Sequence, residues 1–158
     1  MQFYDHLMAS FTVLFLLFHN SVSLPEIIVF AVVWGVLIDT DQLIGRYIKK
    51  PVGHRRTWIE EPFGLLFFGV PAGLILSAFK PEYFLMTIIP YGLHIVMDYI
   101  SIHKVSPLAP FSDREYLVGF IRAFPRYNWC TEEHKGIPEY YFTVINVLAL
   151  ILLITSYF

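Results

Sequence analysis

Tyr91-Gly92-Leu93-His94-Ile95-Val96-Met97-Asp98-Tyr99-Ile100-Ser101-Ile102 carries an imidazole and a carboxylate inside an apolar run. Residues four apart share a helix face, so His94 and Asp98 point into one space. A charged side chain at bilayer depth costs about 2.5–3.5 kcal/mol on insertion scales, so it pairs, meets water or binds an ion. Taken alone, the two residues also read as a structural hydrogen-bonded pair between helices.

The surrounding chain says which environment this run occupies. Its 158 residues are 56% hydrophobic and 18% aromatic against 15% charged, with a mean hydropathy of +0.59. That is the composition of a membrane protein. No repeat or second domain is visible, which predicts one unit over 1–158. A net charge of −2 argues against nucleic acid as a bulk partner. Cys130 is the lone cysteine and has no intramolecular disulfide partner. The opening Met1-Gln2-Phe3-Tyr4-Asp5-His6 lacks a basic n-region and a small-residue cleavage pattern, so the first helix is expected to stay.

Apolar segments fall at 3–19, 24–45, 62–79, 82–102 and 139–158. They predict an all-α, integral membrane helical bundle of about five transmembrane helices, with a long amphipathic loop between helices four and five. Only the last run matches the roughly 20 apolar residues of a span without interruption; the first two reach that length only if their polar ends enter the membrane. Pro25-Glu26 and Glu61-Pro62 are helix starts, since proline there gives up an amide that has no partner anyway. Pro71 and Pro90 are expected to kink helices three and four. Arg46, Lys49, Lys50, Arg55 and Arg56 lie between helices two and three, and Lys104, Arg114, Arg122, Arg126 and Lys135 between helices four and five. The positive-inside rule puts both loops, and the N-terminus, on the cytoplasmic side. In the loop 106–138, aromatic and aliphatic residues alternate with Arg114, Arg122 and Arg126, as in segments lying on a membrane surface. Interfacial anchoring is the favoured reading of that loop and a lid over the site the sharper one.

This topology draws His6, Asp39, Asp41, His54, His94 and Asp98 to one depth on one side. His19 falls at the other end, and His103 lies opposite His94 around its helix; both are excluded. His134, beside Glu132 and Glu133, reads as an exposed loop histidine. Asp39 and Asp41 are two apart and cannot serve one point from a regular helix. Either the helix unwinds at Asp39, or one carboxylate orients a histidine from behind; a capped helix end reaching water is the bland alternative. Three carboxylates and three histidines in one pocket repel one another unless a cation neutralises them. Mixed His/Asp ligation suits Zn2+, or Mn2+, with two or more ions plausible. Paired metals lower the pKa of a shared water from about 15.7 towards about 7, which supplies hydroxide. Arg55 would hold a phosphate oxygen, or serve only as a topology-setting charge.

The residues His6, Gly35-Val36-Leu37-Ile38-Asp39-Thr40-Asp41, His54-Arg55, His94-Ile95-Val96-Met97-Asp98 and Pro107-Leu108-Ala109-Pro110-Phe111 together resemble the YdjM-like family of membrane-bound metal-dependent hydrolases. The match runs from the first helix to about Tyr116, and beyond that it rests on hydropathy. The family is distantly similar to zinc-dependent phospholipase C, which implies metal-assisted hydrolysis of a phosphate ester. Its members tend to carry a second histidine five residues after the one in His-Arg, where this chain has Ile59. Glu60 and Glu61 are the candidates to supply that ligand, although acids before Pro62 also suit a helix start.

The expectation is an inner-membrane metallohydrolase, opening to the cytoplasm, that cleaves a phosphate ester of a lipid or lipid-linked substrate. His6, Asp39, Asp41, His54, His94 and Asp98 would hold metal; Asp41, Arg55 and Asp98 are the catalytic candidates. The alternatives are a metal-ion transporter or channel, which requires polar residues through both bilayer halves, and a non-catalytic bundle with a structural metal.

Overall fold

The computed structural model describes residues 3–39, 58–101, 104–112, 114, 116, 117, 121, 122 and 137–157. These residues form helices α1 (Phe3–Phe18), α2 (Leu24–Gly35), α3 (Pro62–Ser77), α4 (Glu82–Ile100) and α5 (Glu139–Tyr157). Single 3-10 turns occupy Leu37–Asp39 and Trp58–Glu60. After α4 the chain makes two minimal pairings: Lys104–Val105 runs antiparallel to Tyr116–Leu117, and Ile121–Arg122 lies parallel to Ile137–Pro138. The expected helical class is therefore observed. Where the loop 106–138 is described, it contains these extended pairings and a turn.

Length separates the helices. Only α4 and residues 140–157 of α5 are long and apolar enough to cross a membrane among the described residues, while α1, α2 and α3 are shorter apolar helices. At 1.5 Å per residue, the 12 residues of α2 span only about 18 Å. The sequence had suggested helix as far as residue 45. Instead, α2 ends at Gly35, and Val36 leaves helical geometry with φ −127° and ψ −48°. A single 3-10 turn, Leu37–Asp39, follows; Asp41 lies outside the described residues.

Local chemistry explains the other boundaries. Ser23 precedes α2, and Glu26 reaches back to accept from its amide at 2.8 Å and its hydroxyl at 2.5 Å. Pro62 opens α3 directly after Glu61. Within α3, Leu65–Gly69 forms a π turn in which the Val70 amide donates to Leu65 O. Pro71 has no amide to offer the carbonyl four residues earlier, and its ring crowds that carbonyl; the widened turn accommodates both. Pro90 lies inside α4 and is buried.

The central element is α4, which packs against α1, α2 and α3, whereas α5 lies chiefly along α1. Burial follows: 44% of the α4 span is covered against 11% of that in α5. At one end, Leu14, Phe15, Phe18, Ile27, Phe30 and Met86 form a wholly apolar core. Towards the other end, Ile38, Tyr91 and Ile95 make a smaller cluster, with Trp34, Ile59, Leu65 and Tyr99 packed against it. The outside is also apolar, with Leu17, Val29, Phe67, Ile75, Val96 and Leu152 all exposed. Patches of this extent on several helices fit a lipid environment.

A polar clip closes the apolar end. Lys80 Nζ lies 3.1 Å from Glu26 Oε1, and the Tyr83 hydroxyl donates to the same carboxylate. It ties the start of α2 to the start of α4. The Glu26 carboxylate holds the Lys80 ammonium above the ordinary lysine range. The pair's contribution is accordingly intact at neutral pH and lost as pH rises through that raised value. Glu26→Ala is expected to lower the thermal midpoint in detergent, followed by circular dichroism, and Glu26→Gln to recover part of the loss by keeping the Ser23 and Tyr83 contacts.

Candidate metal centre

Helix α4 presents Tyr91, His94 and Asp98 among its buried positions, forming the polar end of its inward face. Opposite them, the first turn of α1 presents His6, also fully buried. His6 Nε2 lies 3.2 Å from Asp98 Oδ1, and His94 Nε2 lies 3.3 Å from Asp98 Oδ2. One carboxylate thus faces two imidazoles, whose rings stack with centroids 4.2 Å apart and planes at 26°. One donor atom from each of His6, His94 and Asp98 lies within 4.8 Å of the others.

Two features suit these residues to a divalent cation. His94 Nδ1 is 2.9 Å from Gly35 O, so that nitrogen carries the proton and donates it to the carbonyl. Nε2 then turns a lone pair towards Asp98, the orientation that metal-ligating histidines take from a backbone carbonyl behind them. His6 Nε2, despite its short approach to Asp98, is oriented so that it makes no hydrogen bond among the described residues. A positive charge between the carboxylate and the two imidazole nitrogens would offset the cost of burying them together. Ligands at about 2.0–2.1 Å in tetrahedral geometry around zinc are about 3.3–3.4 Å apart, close to both nitrogen–oxygen separations here. His6, His94 and Asp98 thus form a group that could hold a metal ion.

Close helix contact makes the convergence possible. A Cβ on Gly35 would collide with Ser10 Oγ and meet Ser10 Cβ at 2.9 Å. Glycine therefore lets α2 touch α1 one turn beyond His6 and places its carbonyl under His94. On the same face of α4, one turn before His94, the Tyr91 hydroxyl donates to Ile59 O at 2.5 Å, and Gly69 leaves room for the Tyr91 ring.

The remaining candidates divide. Asp39 ends the turn Leu37–Asp39, which packs against Trp58–Glu60; its backbone alone is described. Asp41, His54 and Arg55 lie outside the described residues, as do His103, Cys130 and His134. Glu60 and Glu61 are both fully buried but do not belong to the His6, His94, Asp98 group. Glu61 accepts from the Tyr99 hydroxyl at 2.6 Å and from the Ser106 amide at 2.8 Å. Those bonds anchor the end of α4 and the turn after it to the start of α3. His19 sits at the apolar end, 3.0 Å from Phe15 O and stacked on Phe15, which agrees with its exclusion.

Sequence reading assigned no role to Asp5, Ser10 or Gly35. Asp5 is fully buried and bonds to Thr143 and Asn146 of α5. A carboxylate within the first apolar helix, and a polar pair at i and i+3 in the last one, were the available signals.

Gly35→Ala should cost about 1–3 kcal/mol by overpacking, measured by denaturant unfolding in detergent. Adding Ser10→Gly should recover part of that loss, because the collision is with Ser10.

No curated protein and no solved structure matches the chain. The model of the family described as YdjM inner membrane protein matches residues 1–157. With a match over nearly its whole length, on an apolar-surfaced helical bundle, the chain belongs to the YdjM inner membrane protein family.

Proposed function

We propose that this inner-membrane protein is a metal-dependent hydrolase that cleaves a phosphate ester of a lipid or lipid-linked substrate. The observation that carries the reading is the Asp98 carboxylate held between His6 and His94 while Gly35 O takes the other nitrogen of His94. That arrangement supports reading the three side chains as metal ligands, with Gly35 O as the outer support of His94.

His6, His94 and Asp98 would bind Zn2+ or Mn2+, with Asp39, Asp41 and His54 completing a site for two or more ions. A bound ion of this kind supplies Lewis acidity that activates water at neutral pH and polarises a phosphoryl oxygen. Asp98 keeps the two imidazoles at ligand spacing. Gly35 O fixes the tautomer of His94, so that its inward nitrogen stays unprotonated. Arg55 would hold a phosphate oxygen through paired N–H donors, and Asp41 would accept or orient a proton. The five helices would each cross or enter the bilayer, with the N-terminus, both basic loops and the site on the cytoplasmic face. The apolar outer surface supports a lipid substrate, since such a molecule reaches the site from within the membrane.

Transport of a metal ion is the competing function. It needs polar groups along the whole path, and the other end of the bundle is filled by Leu14, Phe15, Ile27, Phe30 and Met86. That packed apolar core favours hydrolysis over conduction.

The test is elemental analysis of purified protein, followed by assays on phospholipids and soluble phosphate esters. Wild type should hold zinc or manganese and hydrolyse a phosphate ester; chelation should abolish activity and metal should restore it. Asp98→Asn and His94→Ala should lower activity at least about 100-fold, given that even outer partners of a metal site cost 10- to 100-fold. Wild type that binds no metal after zinc and manganese are supplied would overturn the reading. Metal flux in proteoliposomes without hydrolysis would replace it with transport, and bound metal with neither would leave a structural staple.

A further inference from the structure

His6 occupies an exacting position. It lies in the first turn of α1, where backbone amides have no intrahelical carbonyl and helices fray. A metal ligand must nevertheless hold its place to about 0.5 Å. His94 and Asp98 gain that rigidity from the middle of α4 and from Gly35 O. His6 needs another source.

The residue before it supplies one. Asp5 is fully buried, and its carboxylate accepts from Thr143 Oγ1 at 3.2 Å and from Asn146 Nδ2 at 3.4 Å. Consecutive residues are about 100° apart around a helix, so Asp5 can face α5 while His6 faces α4. The first turn of α1 is gripped from both sides. Thr143 and Asn146 are three apart, on one face of α5, and they are the polar side chains within residues 142–154. Polar groups inside a membrane helix are costly and usually have a task. Apolar docking of α5 is met separately at the far end of the same contact, where Leu153 packs with Leu14, Phe15 and Phe18.

We propose that Thr143 and Asn146 are positioning residues for the metal centre: through Asp5 they lock the first turn of α1 and so hold His6 at ligand distance. The proposal rests on the metal-binding reading of His6, His94 and Asp98. It gives the C-terminal helix a role in the site although none of its residues touches the ion.

The experiment measures zinc affinity of the full-length protein in detergent, by competition with a chelator, beside thermal unfolding of the metal-free form. Thr143→Val and Asn146→Ala should each weaken zinc binding by about tenfold, the lower end of what outer supports contribute. Thr143→Ser keeps the hydroxyl and should bind as wild type does. Leu153→Ala should lower the melting temperature and leave zinc affinity unchanged, because it loosens the helix pair away from Asp5. Unchanged affinity in Thr143→Val and Asn146→Ala, with zinc bound by wild type, would overturn the proposal and leave the metal reading standing. An equal loss in Leu153→Ala would also overturn it, since general docking would then suffice. Wild type that takes up no zinc would remove the metal reading itself. Should Asn146→Ala fail to fold, Thr143→Val against Thr143→Ser carries the comparison.

Discussion

Asp98 lies between two imidazoles inside an apolar bundle, and the fold around it is shaped by that burial. An ionised carboxylate taken out of water needs compensation of several kcal/mol, and partners with poor geometry do not provide it. Its nearest neighbours come from two helices at once: His94 from the same face of α4, and His6 from α1. Bringing those rings to 4.2 Å requires α1, α2 and α4 to approach closely. Gly35, by having no side chain, lets α2 come near enough to give its carbonyl to His94.

Behind this centre, polar side chains hold backbone in place where hydrophobic packing would leave it free. Tyr91 bonds to Ile59 O, and Tyr99 and the Ser106 amide bond to Glu61, which joins the start of α3 to the end of α4. Asp5 does the same between α1 and α5. In a bilayer there is no water to satisfy such groups, so each buried polar atom either finds a protein partner or serves a ligand. The bundle is thus divided along its length. One end is apolar inside and fastened at its rim by Glu26, Lys80 and Tyr83; the other is polar inside and built around a carboxylate. Such polarity at one end suits a site entered from a single membrane face better than a path through it.

The sequence alone was enough for the helical class, the membrane setting and the pairing of His94 with Asp98. Hydropathy is a local property, and a four-residue spacing puts two side chains on one face wherever the helix packs. The helix starts at Pro25-Glu26 and Glu61-Pro62 were legible for the same reason, because prolines and first-turn acids act on adjacent backbone. Local pattern did not reveal that α2 stops at Gly35, or that α3 widens ahead of Pro71.

Partnership was decided by tertiary structure. His6 and Asp98 are 92 positions apart in numbering, and Asp5 and Asn146 are 141 apart; no periodicity links them. Topology could bring His6 to the right end of the bundle, but only packing could turn it towards Asp98. Glu61, a ligand candidate from sequence, is engaged by Tyr99 and Ser106 because the end of α4 and the turn after it fold back over the start of α3. The packing role of Gly35 is visible only once Ser10 is seen against it. Sequence determines which groups a helix face can offer; the close approach of three helices determines which of them meet.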